Sequence, residues 1–519
     1  MYLVQSLQRA AQVNGDGPAS IDGARRQTWR GFADRVARLA GALRGLGVAP
    51  GDRVAMLSLN SDRFLEYYFA VPWAGAVIVP LNFRWSRAEI AYVLTDADIG
   101  VLMVDGAFVE VAAVLRAEAP ELRTVIRAGE GAAPPDMLDY ERLIADAPPC
   151  APVDRDPEDV FGIFYTGGTT GVAKGVMLST RGLWANVMVL FADFRIADGE
   201  VFLHVPPMFH LADGIYVLAI TAAAGTHVVI PRFDAAAVVA AVRAHGVTAL
   251  GLVPTMLKAV IEHPDFDPAG FATVRRIIYG AAPMSETLLR AALERLPGVS
   301  FAQAFGQTEL SPIATVLKPE HHTPGGAHAG RLRSVGQAVH GTAIRIVDAA
   351  RGELPAGEVG EIAVRGPGAM LGYWRKPAET AAALAGGWVY TGDAGYLDAE
   401  GFLYVVDRIK DMVISGGENV YSVEVEHALL QHPAVSACAV IGIPHERWGE
   451  AVHAIVVVRN GATPSEQSLI DHCRGLIAGY KCPRSIELRR EPLPLSAAGK
   501  VLKRELREPY WRGQPRRIH

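Results

Sequence analysis

The sequence is poor in cysteine, in charge of one sign and in long apolar runs. Its 519 residues hold four cysteines, Cys150, Cys438, Cys473 and Cys482. None forms a C-x-x-C pair, and the spacing suits neither a zinc site nor a disulfide scaffold, so a reducing cytoplasmic setting is expected. A formal net charge of −5 gives no reason to expect a nucleic-acid partner. The most apolar stretch, YVLAITAAAGTHVVI, is broken by Gly225, Thr226 and His227 and is shorter than the ~20 residues that span a bilayer. It reads as a buried helix followed by a strand. The opening MYLVQSLQRAAQVNGDG lacks a long apolar core with a basic flank, so no signal peptide is expected. The basic, aromatic tail YWRGQPRRIH reads as a solvated end, with a peripheral membrane contact left open. No internal repeat or low-complexity segment is present.

Two familiar nucleotide loops are also missing. YTGGTTGVAKG, Tyr165 to Gly175, packs four glycines, three threonines and a lysine into one short stretch. A Walker loop needs Gly-Lys-Ser/Thr in register, but Lys174 follows Ala173 and precedes Gly175. Gly499-Lys500 is followed by Val501, which supplies no hydroxyl for magnesium. The kinase pattern G-x-G-x-x-G is absent around Gly167. The stretch is therefore a phosphate loop of another design, or a flexible turn.

The length calls for two or more domains. The first part alternates helix and strand: TWRGFADRVARLAGALRGLG, RVAMLSL, DRFLEYYFAVPWAG, AVIVP, SRAEIAYVLTDA and IGVLMV. THVVI, VTALGLVP, RRIIYG and VSFAQAFG continue the pattern after Gly175. This alternation predicts an α/β fold of parallel sheets covered by helices. From about Gly341 the texture changes to antiparallel strands, TAIRIVD, GEIAVRG and GFLYVVD. After the charged DRIKD a fresh α+β unit begins, so the expected domains are 1–406, a hinge at 407–411 and a small mobile domain over 412–519.

Eight stretches follow one another over some 340 residues. They are YTGGTTGVAKG, PPMFH (Pro206 to His210), GAAPMS (Gly280 to Ser285), FGQTE (Phe305 to Glu309), GEVGEIAVRGPGAMLGYW (Gly357 to Trp374), YTGD (Tyr390 to Asp393), DRIKDMVISGGENVY (Asp407 to Tyr421) and AAGKVLKREL (Ala497 to Leu506). In this order they closely resemble the adenylate-forming superfamily of acyl- and aryl-CoA synthetases, luciferases and peptide-synthetase adenylation domains. Within it, DRIKDMVISGGENVY and the spacing of the tail look most like those of fatty-acyl-CoA synthetases. The resemblance implies two half-reactions: a carboxylate attacks the α-phosphorus of ATP to give acyl-AMP and pyrophosphate, then a thiol, usually coenzyme A, displaces AMP.

The resemblance also implies roles. Thr166, Gly167, Thr169, Thr170, Gly171 and Lys174 would wrap the β- and γ-phosphates, with hydroxyls, close backbone approach and a cation. Gly168 departs from the family's usual serine. Gly280, Ala281 and Ala282 would wall the adenine and acyl pockets, Phe305 would stack on adenine beside Gly306, and Thr308 would reach the α-phosphate. Glu309, with Thr166, is an oxygen donor suited to Mg2+. Asp393 and Arg408 would bind the ribose, and His210 would lie near the substrate carboxylate. Lys500 would reach the α-phosphate during adenylation, although LSAA departs from the family's usual approach to it. Lys410 marks the hinge. Rotation there would bring Ser415, Gly416 and Gly417 to line a pantetheine channel, with Arg84, Trp448, Tyr480 and Lys481 as candidate contacts for coenzyme A. The expected activity is ATP-dependent ligation of a fatty or other hydrophobic acid to coenzyme A. The alternatives are an aryl-CoA ligase and an adenylating module that loads a carrier protein. Oligomeric state is left open, a homodimer being compatible with the sequence.

Overall fold

Short runs of aliphatic and β-branched residues form the strands of two large sheets. They are apolar on both faces because helices cover both faces. The computed structural model describes residues 3–166, 173–282, 284–322, 331–409, 411–415, 418–495 and 501–512. Its contacts divide the chain into two compact units, Met1–Ala343 with Val364–Val389, and Ile344–Ala363 with Tyr390–His519.

In the first unit, an eight-stranded sheet runs in the order Gly372–Tyr373, Lys174–Ser179, Val160–Thr166, Val77–Pro80, Arg53–Leu57, Val101–Asp105, Thr124–Ala128, Leu138–Asp139. Pairing is parallel from Val160–Thr166 onward. It is antiparallel at the end that carries the glycine-rich loop. A nine-stranded sheet has Ser300–Phe305, Arg276–Gly280, Ala249–Leu252, Val201–His204 and Thr226–Val229 at its centre, all parallel. Asp62–Trp73 is buried along its whole length, so it is a core helix rather than an amphipathic one. Ser86 and Glu89 close a reciprocal cap at the start of Arg87–Asp96. The expected α/β class and the helix–strand order hold.

Val201–His204 is a strand that the sequence reading passed over, and its last residue opens a buried polar chain. His204 Nδ1 lies 2.7 Å from Asp213 Oδ2, and its Nε2 lies 2.9 Å from His227 Nδ1. His227 Nε2 lies 3.1 Å from Thr221 Oγ1, whose own proton goes to the Val217 carbonyl at 2.8 Å. Thr221 must therefore accept from His227 Nε2–H, and His227 Nδ1 must accept from His204 Nε2–H. A single proton remains to be shared between His204 Nδ1 and Asp213. Burial pushes Asp213 up, against the pull of His204, and holds His227 well below the usual imidazole range. Asp213 N also bonds the His210 carbonyl at 3.0 Å, so this chain braces the turn that presents His210.

In the second unit, Trp388–Leu397 pairs antiparallel with Leu403–Arg408, as the change of texture predicted. The C-terminal part is an antiparallel-based sheet of Glu418–Val420, Val413–Ser415, Gly449–Val458 and Val435–His445, with Ser485–Arg489 alongside. The helices Ser422–Leu430 and Glu466–Arg474 contribute Val425, Leu429 and Leu469 to its core. The contact-defined division differs from the expected one: the second unit starts at Ile344, close to the change of texture, and contains the expected pivot. The reason is local. Asp407 Oδ2 accepts from both the N–H and the hydroxyl of Ser422, and Arg507 Nη2 pairs with Asp411 Oδ1 at 3.0 Å. The described start of the tail, Tyr510 to Arg512, is tied to the sheet, and the rest of YWRGQPRRIH lies outside the described residues. Tyr510 OH lies 2.9 Å from both His453 Nε2 and Glu487 Oε2, and Trp511 Nε1 donates to the Gly442 carbonyl at 3.0 Å.

Asp213→Asn keeps a donor for His204 Nδ1, whereas Asp213→Leu leaves that nitrogen buried and unpaired. Urea unfolding should find the Asn variant within about 1 kcal/mol of the parent and the Leu variant lower by about 1–3 kcal/mol. Equal losses in both would mean that the shared proton has no part in stability.

Candidate active site

Parallel strands direct their C-terminal ends to one edge, where side chains and loop backbone stay free of the ladder. Gly280 ends one such strand and Phe305 ends its neighbour, with Gly280 paired opposite Ala304. A Cβ on Gly280 would lie 2.3 Å from the Ala304 carbonyl oxygen, so only glycine permits that approach. Ala281 follows at φ 64°, a left-handed conformation that a non-glycine residue adopts only where its surroundings hold it. Gly280, Ala281 and Ala282 are half-buried and give a wall with no side chain larger than a methyl. Gly306 is equally constrained, since a Cβ there would meet the Pro312 carbonyl oxygen at 2.0 Å. This packing turns the chain into Thr308–Leu310, a single 3-10 turn that carries Thr308 and Glu309.

The strands on either side of the glycine-rich stretch pair antiparallel. Thr166 pairs opposite Lys174, and Tyr165 opposite Gly175. Gly167, Thr169, Thr170 and Gly171 lie outside the described residues, but the two strands fix where Thr166 and Lys174 leave the sheet. Tyr165 OH bonds Asp96 and anchors the hairpin from behind. A residue that the sequence reading passed over joins this hairpin to Glu309. Tyr373 OH donates to Glu309 Oε1 at 2.8 Å, and Lys174 Nζ stands 5.1 Å from the Tyr373 ring centroid. Tyr373 lay inside a quoted motif, but nothing in the linear spacing said that it would touch both.

His210 precedes the helix Leu211–Ala222. Its turn is held by Asn60, whose Nδ2 donates to the Pro206 carbonyl at 2.9 Å while its Oδ1 accepts from Met208 N at 2.7 Å. Phe209, beside it, meets Phe83 edge-on at 5.2 Å, and the guanidinium of the exposed Arg84 lies 5.6 Å from the Phe83 ring. Arg84 is thus two aromatic contacts from the His210 turn.

In the second unit, Asp393 and Arg408 are direct cross-strand partners, with Arg408 Nε 2.8 Å from Asp393 Oδ1. The pair offers a carboxylate oxygen and a forked donor side by side, as a diol requires. Ser415 pairs opposite Gly449, the neighbour of Trp448. Trp448 stacks on His445 at 4.2 Å and lies under the Arg484 guanidinium at 4.6 Å, which makes Arg484 a further cation of this surface that sequence reasoning missed. Tyr480 is exposed, and Lys481 pairs with Glu424 Oε1 at 2.8 Å. Lys410, Gly416, Gly417 and Lys500 lie outside the described residues.

Residues 7–374 match the AMP-binding enzyme family and residues 424–500 its C-terminal domain. The chain belongs to the AMP-binding enzyme family. It is 39% identical to a feruloyl-CoA synthase from Amycolatopsis over 97% of this chain and 98% of that protein. It is 36% identical to the fatty acid–[acyl-carrier-protein] ligase ScoC of Streptomyces coeruleorubidus, over 100% of this chain and 98% of that one. Among solved structures it is similar to ATP-bound MatB from Rhodopseudomonas palustris, with a TM-score of 0.89 and 30% identity over 98% of this chain and 99% of that one. This AMP-binding enzyme is an AMP-forming acid–CoA ligase.

The donor set fits magnesium. Among the described residues, no group of three or more His, Cys, Asp or Glu side chains could hold a metal by itself. Magnesium does not need one, because it is commonly held by one or two carboxylates together with substrate phosphates. Glu309 is half-buried and has one oxygen engaged by Tyr373, and its carboxylate is of the type such a role needs.

The C-terminal part has its own buried charge. Lys503 Nζ lies 2.7 Å from Glu426 Oε1 and also contacts Ser422 Oγ, which in turn bonds Asp407. Burial opposes the charge on Lys503, but Glu426 and Asp407 outweigh it and raise its pKa. Lys503→Met would leave these carboxylates without their cation. Thermal and urea unfolding should show a loss of about 3–5 kcal/mol. A loss below 1 kcal/mol would mean that water replaces the ammonium at no cost.

Proposed function

We propose that this AMP-binding enzyme joins an aromatic carboxylic acid to coenzyme A through an acyl adenylate. The observation that carries the adenylation site is the Lys174–Tyr373–Glu309 cluster, which brings a cation and a metal-binding carboxylate to one edge of the first unit. The similarity to a feruloyl-CoA synthase along nearly the whole chain supports an aromatic acid, and the methyl-lined wall of Gly280, Ala281 and Ala282 supports a flat one. The second reading is an aliphatic acid, with coenzyme A or a carrier protein as the thiol. It is supported by the similarity to a fatty acid–[acyl-carrier-protein] ligase.

The chemistry divides among named residues. A carboxylate oxygen of the acid attacks the α-phosphorus, and pyrophosphate leaves with the bonding electrons. Thr166 and Lys174 take up charge that develops on the leaving phosphates. Glu309 and Thr166 would hold Mg2+, which supplies charge neutralisation at the phosphates. His210 orients the carboxylate, and Asp393 with Arg408 binds the ribose hydroxyls. Lys500, assigned by its AAGK motif, adds a cation to the α-phosphate in the transition state. In the second half-reaction the thiol sulfur attacks the acyl carbon and AMP leaves. Ser415, Gly416, Gly417, Trp448, Tyr480, Lys481 and Arg84 serve the coenzyme.

With Mg-ATP, coenzyme A and a panel of acids, the products should be AMP, pyrophosphate and a thioester. ADP in place of AMP would refute adenylation. Within the panel, kcat/KM for hydroxycinnamic acids should exceed that for C8–C12 fatty acids by about tenfold or more, on the scale that one or two pocket contacts supply. The reverse order would establish the aliphatic reading.

Lys500→Ala should lower kcat for pyrophosphate release by about 10²–10³, the usual cost of one transition-state contact. The ATP affinity should change far less. Supplied with pre-made acyl-AMP and coenzyme A, the variant should still form thioester near the parent rate. Collapse of that step as well, in a folded protein, would give Lys500 a different role.

A further inference from the structure

The stretch GAMLGYW, Gly368 to Trp374, entered the sequence analysis only as a landmark, yet it binds together two separate parts of the site. Met370 N donates to the Glu309 carbonyl at 2.9 Å. Leu371 N donates to the Met177 carbonyl at 2.9 Å, and Trp374 N to the Gly175 carbonyl at 2.7 Å. Tyr373 N is held by Thr380 Oγ1 at 2.9 Å. Gly372 and Tyr373 pair opposite Met177 and Val176 on the strand that starts at Lys174. Trp374 follows Gly372–Tyr373 in a turn. Its Nε1 donates to the Asp96 carbonyl at 2.9 Å, and Arg53 and Arg375 lie over its ring at 5.5 and 5.3 Å. The backbone under Tyr373 is thus fixed on every side, and a tyrosine has only two side-chain torsions left to set.

The two groups that Tyr373 touches carry opposite charge. Its hydroxyl donates to Glu309 Oε1, and its ring face is turned to the Lys174 ammonium. No ion pair joins Lys174 to Glu309 among the described residues. A lysine and a glutamate that touch the same side chain attract each other, and a direct pair would engage both charges. We propose that Tyr373 is a positioning residue that keeps Glu309 and Lys174 apart and separately aimed, the carboxylate toward the metal and the ammonium toward the leaving phosphates. The inference rests on the adenylation reading of the site. One oxygen of Glu309 is committed to the tyrosine, which leaves the other for magnesium. The quadrupole of the ring gives Lys174 a resting place that leaves its charge intact.

The test uses full-length enzyme and a non-hydrolysable probe, α,β-methylene-ATP, with binding followed by calorimetry across a magnesium titration. Tyr373→Phe removes the hydroxyl and keeps the ring. The magnesium concentration needed for half-maximal tightening of probe binding should rise about tenfold, on the scale of a hydrogen bond to a charged group. Probe binding in EDTA should stay within about twofold of the parent. Tyr373→Leu also removes the ring and should weaken binding about threefold further in both conditions. In a Glu309→Gln background, Tyr373→Phe should produce no additional magnesium shift, because its effect acts through that carboxylate. An unchanged magnesium titration in folded Tyr373→Phe would overturn the inference. So would an equal loss with and without magnesium, or a full magnesium shift that persists in the Glu309→Gln background. A parent enzyme that binds no probe at all would instead refute the reading of the site, and this inference with it.

Discussion

Three backbone hydrogen bonds from one short segment tie together two parts of the first unit. Met370, Leu371 and Trp374 give their N–H groups to Glu309, Met177 and Gly175. These bonds join the turn after Ser300–Phe305, in the nine-stranded sheet, to the hairpin of Val160–Thr166 and Lys174–Ser179, in the eight-stranded one. Each sheet is internally complete without the other. The strand that starts at Lys174 and the turn that carries Glu309 therefore need a third piece of chain to set their distance. Backbone bonds do this well, because they have no rotamers and fix register and direction at once.

That arrangement addresses a charge problem. Triphosphate chemistry needs a cation and a metal-binding carboxylate close together, and such groups attract each other when no substrate is bound. On the proposed reading, a neutral side chain that contacts both groups lets the opposite charges coexist. Tyrosine suits this task, since its hydroxyl donates to an anion while its ring face draws a cation. In the second unit the problem is solved in the opposite way. Asp393 and Arg408 do pair, at 2.8 Å. On the proposed reading this pair meets a ribose diol, which brings no net charge, so donors and acceptors already matched to each other can also be matched to it.

Much of this was legible in the sequence, and the legible part was local. Gly280 and Gly306 marked strand ends, and each meets a carbonyl oxygen that no side chain could approach. The failed Walker register of Lys174 agrees with its place in the fold, where the lysine starts a strand rather than a helix. Asp393 and Arg408 were assigned to one ribose from their motifs, and the ladder makes them direct partners. What was not legible depended on register between distant segments. Tyr373 and Glu309 are 64 positions apart, and no periodicity says that a strand of two residues will add to the edge beside Lys174. The His204–Asp213–His227 chain was hidden for the same reason, because the parallel pairing of two strands brings its two histidines together. The aromatic tail looked solvated because its composition is polar overall, yet at its described start Tyr510 and Trp511 each find a hydrogen-bond acceptor.

The C-terminal part follows the same logic of a third piece holding two others. Asp407 lies on one side of Lys410 in sequence, Ser422 on the other, and Lys503 comes from the last helix. Ser422 accepts from Lys503 and donates to Asp407, so one hydroxyl links a cation to an anion. A direct Lys503–Asp407 pair would depend mainly on charge and distance, whereas the hydroxyl adds direction and ties the start of Ser422–Leu430 to the strand Leu403–Arg408. Arg507, from the same helix, repeats the tie at Asp411. Any turn of the backbone at Lys410 must therefore break or carry along bonds made on both of its sides. The segment DRIKD is charged because its aspartates hold these bonds, and its short charged look, which suggested a boundary in the sequence, reflects the number of partners gathered there.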